Sequence, residues 1–398
     1  NLRRPVIEEQ GSALRSAWVA MAIGLYIHVP FCVRKCLYCD FTSYPYHPLD
    51  DQTYLQALRQ EMHLYGKILS SEEWEVSSLY IGGGTPTCLP ADGLAAIIED
   101  AGCVFKLLPG CEITVEANPG TISREGLARL AAAGVNRLSI GVQSFHDRLL
   151  KVLGRIHDAR TALEAVRAAR KAGFDNINID LIFGIPGQSA GDWLETLGLA
   201  VELSPEHISL YGLQLEAGTP LEQAVSLGKL APCPEELELF MYMTAIDFFT
   251  GHCYEHYEIS NFARPGRQSV HNLKYWLNLP YLGLGAGAHS CFRGERFANE
   301  TSLKLYFDKV FRGEYPVKDR EVISEKIAMS EFMFLGMRLI RGVDLDLFHR
   351  RFGKRAEDVY SSQINRLLEQ GMIEARDGCL RLSEKGLPVA NRVFCEFL

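Results

Sequence analysis

Tyr26-Ile27-His28-Val29-Pro30-Phe31-Cys32-Val33-Arg34-Lys35-Cys36-Leu37-Tyr38-Cys39-Asp40-Phe41 sets three cysteines at C-x-x-x-C-x-x-C spacing, directly after a short apolar run that reads as a strand. Three thiolates this close can wrap one face of a compact metal centre. A [4Fe–4S] cluster takes cysteine thiolates as its usual ligands. Three cysteines leave one iron open, and the amino and carboxylate groups of S-adenosylmethionine suit such a position. Reduction of the cluster could then cleave the sulfonium to a carbon radical, chemistry that belongs to the cofactor and that a protein only positions. Two plainer readings stand beside this one. Structural zinc takes four Cys or His ligands, and His28 could complete a set with Cys32, Cys36 and Cys39. Buried cysteines without a ligand are the other.

The bulk of the chain narrows the context. Its 398 residues suffice for a large core and two or three domains. Hydrophobic content of 47% and charged content of 23% are those of an ordinary globular protein. A net charge of -8 without a long basic run argues against nucleic-acid binding, which depends on neutralising phosphates. The 11 cysteines are odd in number and scattered outside the motif, which suits a reducing, cytoplasmic setting and not a disulfide framework. No apolar run reaches the roughly 18 residues that span a bilayer, leaving at most peripheral membrane contact. Residues 1–20 read as a flexible extension, because cutting off a signal there would remove the strand that places the cysteines.

Downstream, strand and helix patterns alternate. Helical spacing over 51–69 is followed by the strand Ser77-Ser78-Leu79-Tyr80-Ile81 and the run Gly82-Gly83-Gly84-Thr85-Pro86-Thr87. Strands over 113–118, 137–142, Ile177–Phe183 and 207–213 alternate with helices over 123–133, 159–172 and 190–203. Such alternation gives parallel strands with right-handed crossovers. Six units are fewer than the eight of a closed barrel. The expectation is an α/β fold, an incomplete (β/α)6 barrel over 22–250.

In such folds chemistry gathers at the carboxyl ends of the strands. Those positions hold the three cysteines, the three glycines, Glu116, Gln143 and Asp180. Their convergence on one rim marks a candidate site. Glycines there allow close approach of a ligand, and successive N–H groups could cup a carboxylate. The connecting region 251–320 is rich in His, Tyr and Trp, notably His271-Asn272-Leu273-Lys274-Tyr275-Trp276 and the run ending in His289. Histidine and tyrosine can ligate haem iron, although a lone histidine is commonly just a satisfied hydrogen-bonding group. The tail, 321–398, reads as three helices and a hairpin around Asp377-Gly378, a mostly helical, winged-helix-like domain serving as a lid or interaction module.

Together, residues 26–41, Gly82 to Thr87, Gly141-Val142-Gln143-Ser144-Phe145 and Asp180 to Gly187 resemble the radical S-adenosylmethionine proteins of the oxygen-independent coproporphyrinogen III oxidase family, over essentially all of 22–398. Within that family the chain is most similar to the HemW-type haem chaperones. The resemblance implies that Cys32, Cys36 and Cys39 hold a [4Fe–4S] cluster. It implies that Tyr26 lines the S-adenosylmethionine site, that Gly83, Gly84 and Thr85 meet the methionine end, and that Glu116, Gln143, Arg155 and Asp180 contact the rest. Arg155 enters through the resemblance alone.

Two departures separate the chain from the oxidases of the family. Phe41 stands where they carry a fourth cysteine, and their longer N-terminal segment is replaced by about twenty residues. His271 to Trp276, by contrast, matches the H-N-x-x-Y-W pattern that the chaperone group associates with haem, with His256, His289 and Tyr275 as alternative ligands. The implied function is a haem chaperone that passes haem to an acceptor protein. The alternatives are radical decarboxylation of coproporphyrinogen III and a zinc-stabilised winged-helix binding protein.

Overall fold

The computed structural model describes residues 22–48, 50–71 and 74–398. The expected extension 1–20 lies outside them. The six expected strands form and lie side by side: β1 (Ile23–Val29), β2 (Glu75–Gly83), β3 (Lys106–Ala117), β4 (Arg137–Gln143), β5 (Ile177–Phe183) and β6 (His207–Gly212). Each pair of neighbours is parallel. Period-two alternation sets the faces. In β1, Ile23, Leu25, Ile27 and Val29 are fully buried, while Gly24, Tyr26 and His28 turn to the other, concave face.

Helices cover the outer face: α1 (Asp50–Ser71), α2 (Ala91–Val104), α3 (Arg124–Ala132), α4 (Asp147–Leu153), α5 (Ala159–Lys171), α6 (Ala190–Glu202) and α7 (Glu235–Gly251). Their starts follow from side chains that accept the orphan N–H groups of a first turn. Ser123 accepts from Gly126 and Asp158 from Thr161. Ser189 and Asp192 form a reciprocal capping box.

The sheet does not stop at six strands. The segment after 251, expected to be a connector, supplies β7 (Glu255–Glu258), β8 (Asn261–Ala263), β9 (Tyr281–Leu284), β10 (His289–Phe292), β11 (Glu295–Asn299) and, beyond α9 (Leu303–Phe311), β12 (Val317–Val322). Strand β9 pairs with β1 as a seventh parallel strand, Leu25 opposite Leu282. Strands β10 to β12 extend that side antiparallel, and β8 and β7 extend the other beyond β6. The result is one open twelve-stranded sheet with β12 and β7 at its edges. Between β8 and β9 lies the short helix α8 (Val270–Trp276).

The tail carries its own core of Met333, Phe348, Ile364, Leu367, Val393 and Phe397, among others. Its main elements are α10 (Glu325–Gly336), α11 (Leu345–Phe352), α12 (Ser361–Glu369) and a hairpin of β13 (Ile373–Arg376) and β14 (Cys379–Leu382), with short helical turns over Ala356–Val359 and Ala390–Cys395. The hairpin turns on Asp377 and Gly378 at φ 50° and 75°, as the Asp-Gly pair dictates. Val343 and Asp344 add a short third strand, completing a winged-helix pattern.

Candidate functional site

The three cysteines lie on the loop leaving β1, at the carboxyl rim of the parallel strands. All three are free thiols, Cys32 buried and the others half-buried. Burial raises the thiols of Cys32 and Cys39. A continuous set of hydrogen bonds joins two of them. Thr85 Oγ1 donates to Cys32 Sγ at 3.7 Å, and Asn118 Nδ2 donates to Thr85 Oγ1 at 2.8 Å. Arg155 Nη2 donates to Asn118 Oδ1, and Arg155 Nη1 reaches Cys36 Sγ at 3.3 Å. The same guanidinium donates to the Gly141 carbonyl at 2.8 Å. Its Nε is buried with no protein partner, an orphan donor at the edge of a crevice lined by Cys36, Thr85 and Asn118.

This donor set fits an anionic iron–sulfur cluster and not the four-ligand zinc site. His28, the expected fourth zinc ligand, has both ring nitrogens engaged, Nδ1 with Tyr26 Oη at 2.9 Å and Nε2 with the Thr42 carbonyl at 3.0 Å. A guanidinium donating to a sulfur suits a thiolate held against a cluster.

The glycines serve close packing. A Cβ on Gly84 would lie 2.5 Å from the Phe31 carbonyl oxygen, and one on Gly83, at φ 113°, would lie 2.7 Å from the His28 ring. The tip of β2 therefore runs flush against the cysteine loop. The expected cup of N–H groups is not formed. Gly83 N–H donates to Glu116 Oε2 at 3.2 Å, Gly84 to Val29 O at 2.9 Å and Thr85 to Phe31 O at 2.7 Å. Those donors are consumed in fixing the loop.

The carboxylates follow along the concave face. Tyr80 Oη donates to Glu116 Oε1 at 2.7 Å. Burial, ahead of the neighbouring Asp180 charge, pushes the Glu116 carboxyl up to about 7, against the pull of Tyr80 and Gly83. Asp180 accepts from Asn178 Nδ2 at 2.8 Å and is likewise raised by burial. Gln143 is buried at φ 65°, a left-handed conformation that costs a non-glycine residue about 1–3 kcal/mol. Gly141 lies beneath it, where a Cβ would meet Asn118 Oδ1 and Gln143 Nε2 at 2.9 Å each. Tyr211, on the same face as Asp180, is partly exposed. The structure thus gathers Tyr26, the cysteines, Gly83 to Thr85, Glu116, Gln143, Arg155 and Asp180 at one end of the concave face. Asn118 was missed in the sequence, although it stands two residues past Glu116 at the same strand end.

His271 lies at the floor of the same concave face, its ring centroid 6.4 Å from that of Tyr26. Helix α8 plugs the opposite end of the barrel, where a Cβ on Gly24 would meet Lys274 Cδ at 2.9 Å. Glu112 accepts from the N–H groups of Val270 and His271, and Lys274 Nζ donates to the Ala22 carbonyl. The His271 ring is 1% exposed, stacked on Tyr80, with Nδ1 bonded to Ser78 Oγ and Nε2 to Tyr275 Oη, each at 2.9 Å. Burial lowers its pKa to about 3. Contact between His271 and haem, as the sequence leads one to expect, would exchange one of these hydrogen bonds for iron. Both ring nitrogens are hydrogen-bonded and the ring is enclosed in this conformation. Trp276 of the same motif packs under the Arg338 guanidinium at 4.2 Å, joining the barrel to the tail domain.

An open parallel sheet with a three-thiol loop on its carboxyl rim defines a radical S-adenosylmethionine protein. The Radical SAM superfamily model matches residues 26–200, and the HemN C-terminal domain model matches 323–389. In solved structures the fold matches the coproporphyrinogen III oxidase HemN of Escherichia coli, with a TM-score of 0.83 at 23% identity, covering 98% of this chain and 93% of that one. The sequence is 38% identical to heme chaperone HemW of Bacillus subtilis over 94% of this chain and 98% of that one. It is 36% identical to heme chaperone HemW of Lactococcus lactis over 94% and 96% respectively. It is also 33% identical to bovine mitochondrial radical S-adenosyl methionine domain-containing protein 1, over 100% of this chain. The chain belongs to the HemW family.

Proposed function

We propose that this protein is a haem chaperone that binds haem and transfers it to an acceptor protein. One observation carries the reading: similarity to proteins named heme chaperone HemW runs nearly end to end, with the three-thiol rim intact. Cys32, Cys36 and Cys39 hold a [4Fe–4S] cluster, and Arg155 and Thr85 steady the sulfurs of Cys36 and Cys32. S-adenosylmethionine binds beside it. Gly83, Gly84 and Thr85 face its methionine end, while Tyr26, Glu116, Gln143, Arg155 and Asp180 contact the remainder. The orphan Arg155 Nε offers an anionic group a buried donor, and Glu116 offers an ammonium or sulfonium a counter-charge. A reduced cluster with S-adenosylmethionine supplies a carbon radical; here the pair serves structure, assembly state or regulation. The free cysteines suit a reducing compartment, and the cytoplasm is the setting we infer. No described helix is long and apolar enough to cross a membrane.

Titration of ferrous haem into cluster-replete protein under anaerobic conditions tests the reading, with stoichiometric binding expected. Absence of binding sinks it. Turnover of coproporphyrinogen III by the same preparation would replace it with the oxidase reading, which Phe41, 64% exposed at the rim, disfavours.

A further inference from the structure

Helix α8 is held from two sides. The barrel holds its first turn through Glu112, and Lys274 reaches the Ala22 carbonyl. The tail domain holds its far end. Arg351 of α11 donates from Nη1 to the Asn278 carbonyl at 3.1 Å and from Nη2 to Asn278 Oδ1 at 2.8 Å. Asn278 Nδ2 donates to one oxygen of Glu331 on α10 at 3.4 Å, and the other oxygen accepts from Arg296 of β11. Asn278 takes this position at φ 49°, a left-handed conformation that asparagine tolerates.

To make these contacts the tail crosses the open end of the sheet. Ile323, between β12 and α10, donates to the Gly294 carbonyl in the β10–β11 turn at 2.8 Å. Beyond α10, Ile340 N–H donates to the Tyr257 carbonyl at 3.1 Å, and Ile259 N–H donates to the Arg338 carbonyl at 3.0 Å. Residues 338–340 thus pair with β7, Leu339 opposite Glu258. Strands β12 and β7 are the two edges of the sheet. Helix α10, about 18 Å long, runs between them. It ties together the flanks of a sheet that never closes on itself.

The seam between the tail and α8 is under-bonded. Trp276 Nε1, Arg338 Nε and Glu258 Oε2 are all buried without a hydrogen-bond partner. Arg338 stacks over the Trp276 ring, and its Nη2 stops 3.9 Å from that Glu258 oxygen. Three such groups gain hydrogen bonds to water when the seam parts, so it opens more readily than a satisfied one. What the seam closes off is the His271 ring. That ring is boxed between Tyr80 and Tyr275, and Tyr281 packs edge-on against Tyr275 at 4.6 Å. A planar cargo of porphyrin size cannot reach an enclosed ring unless a wall moves. Tyr80 belongs to a central strand with a parallel neighbour on each side. The Tyr275 wall continues into Trp276 and Asn278, which the tail holds.

We propose that α10 is a strap whose seam with α8 gates the floor of the concave face, with Arg351 and Arg338 as the positioning residues that keep it shut. Parting the Arg351–Asn278 contacts frees the far end of α8, and the pairing of 338–340 with β7 serves as the hinge. Gating of haem entry rests on the haem-chaperone reading above. The strap itself does not.

The test uses the full-length, cluster-replete protein under anaerobic conditions, as wild type, Arg351→Gln, Arg338→Gln and Arg355→Gln. Arg355 is a control in the same domain, where it pairs with Glu357 away from the seam. Hydrogen exchange of the haem-free proteins, read by mass spectrometry, should be faster over 270–281 in the two seam variants and unchanged in Arg355→Gln. Exchange over 361–369, in the tail core, should stay at the wild-type level; a rise of equal size there would mark general destabilisation and overturn the assignment. Stopped-flow mixing with haem should show association at least about threefold faster in the seam variants, because more of the protein is open. Arg351→Lys, which keeps a donor for Asn278, should fall between. Unchanged exchange over 270–281 in both seam variants would overturn the strap. Faster exchange with unchanged haem association would overturn the gate and leave the chaperone reading intact. Failure of the wild type to bind haem would overturn that reading and the gate together, with the exchange measurement still deciding the strap.

Discussion

Asn118 accepts a hydrogen bond from Arg155 and donates one to Thr85, and this pair of residues links the sulfur of Cys36 to that of Cys32. Neither cysteine is positioned by its loop alone. The carboxyl ends of β3 and β4, with the turn after α4, meet over Gly141 to hold them.

Asn118→Leu should therefore lose cluster without unfolding the barrel. Burying two unsatisfied partners costs about 1–3 kcal/mol each, and that cost falls on the loop. Anaerobic reconstitution followed by iron and sulfide analysis should show lower occupancy and faster loss in air. Arg155→Lys should behave similarly, because an ammonium cannot reach Asn118, Gly141 and Cys36 at once. Full, wild-type cluster retention in both variants would refute the linkage.

His271 is expected to act on stability. Removing its ring leaves Ser78 and Tyr275 without their partner and opens a hollow beside Tyr80. His271→Ala should cost about 2–4 kcal/mol, within the range of buried polar and cavity losses. Thermal melts should show a lower midpoint.

Glu116 gives a pH dependence with a definite sign. Its pKa, raised from 4.5 to about 7, makes ionisation costly in the free protein, so its contribution to stability falls as pH rises through that window. A cationic ligand reverses the preference, since only the ionised carboxylate attracts it. Binding of S-adenosylmethionine should strengthen up to about tenfold between roughly pH 6 and pH 8. Calorimetry on Glu116→Gln should show weaker binding with that dependence flattened. Parallel pH profiles for the two proteins would contradict the role.

Glu61 anchors the back of the same region. It is fully buried in α1 and accepts from Gly285 N–H at 2.8 Å, Tyr306 Oη at 2.7 Å and Asn299 Nδ2 at 2.7 Å. Glu61→Ala strands three buried donors, a loss of about 3 kcal/mol or more. Chemical denaturation should reveal it as a lower midpoint at unchanged slope.

Much of this was legible in the chain. The alternation of short apolar strands with helical spacing placed the six parallel strands and their helices, because local patterning and tertiary structure agree there. The Asp-Gly pair announced its hairpin. Strand β9 was hidden: Tyr281 to Leu284 is short, and a preference for pairing with β1, over 250 residues away, leaves no local signature. The surroundings of His271 were hidden for a related reason. Its motif is dense in groups that can bind a ligand, and the fold brings Ser78, 193 residues away, and Tyr275 into hydrogen bonds with its two nitrogens. Asn118 carries no periodic signal. Its part depends on Arg155, brought alongside from 37 residues away.

The outermost strand β12 has a bearing on solubility. Its free edge would otherwise invite another chain to add on, and an open sheet of twelve strands has no closure to prevent this. Lys318, Asp319, Arg320 and Glu321 put four charges in succession along that edge, all exposed, with Arg320 tied to Glu295 at 3.0 Å. The strand that lengthens the sheet thus also ends it in a charged edge, which an added strand would have to pair or desolvate.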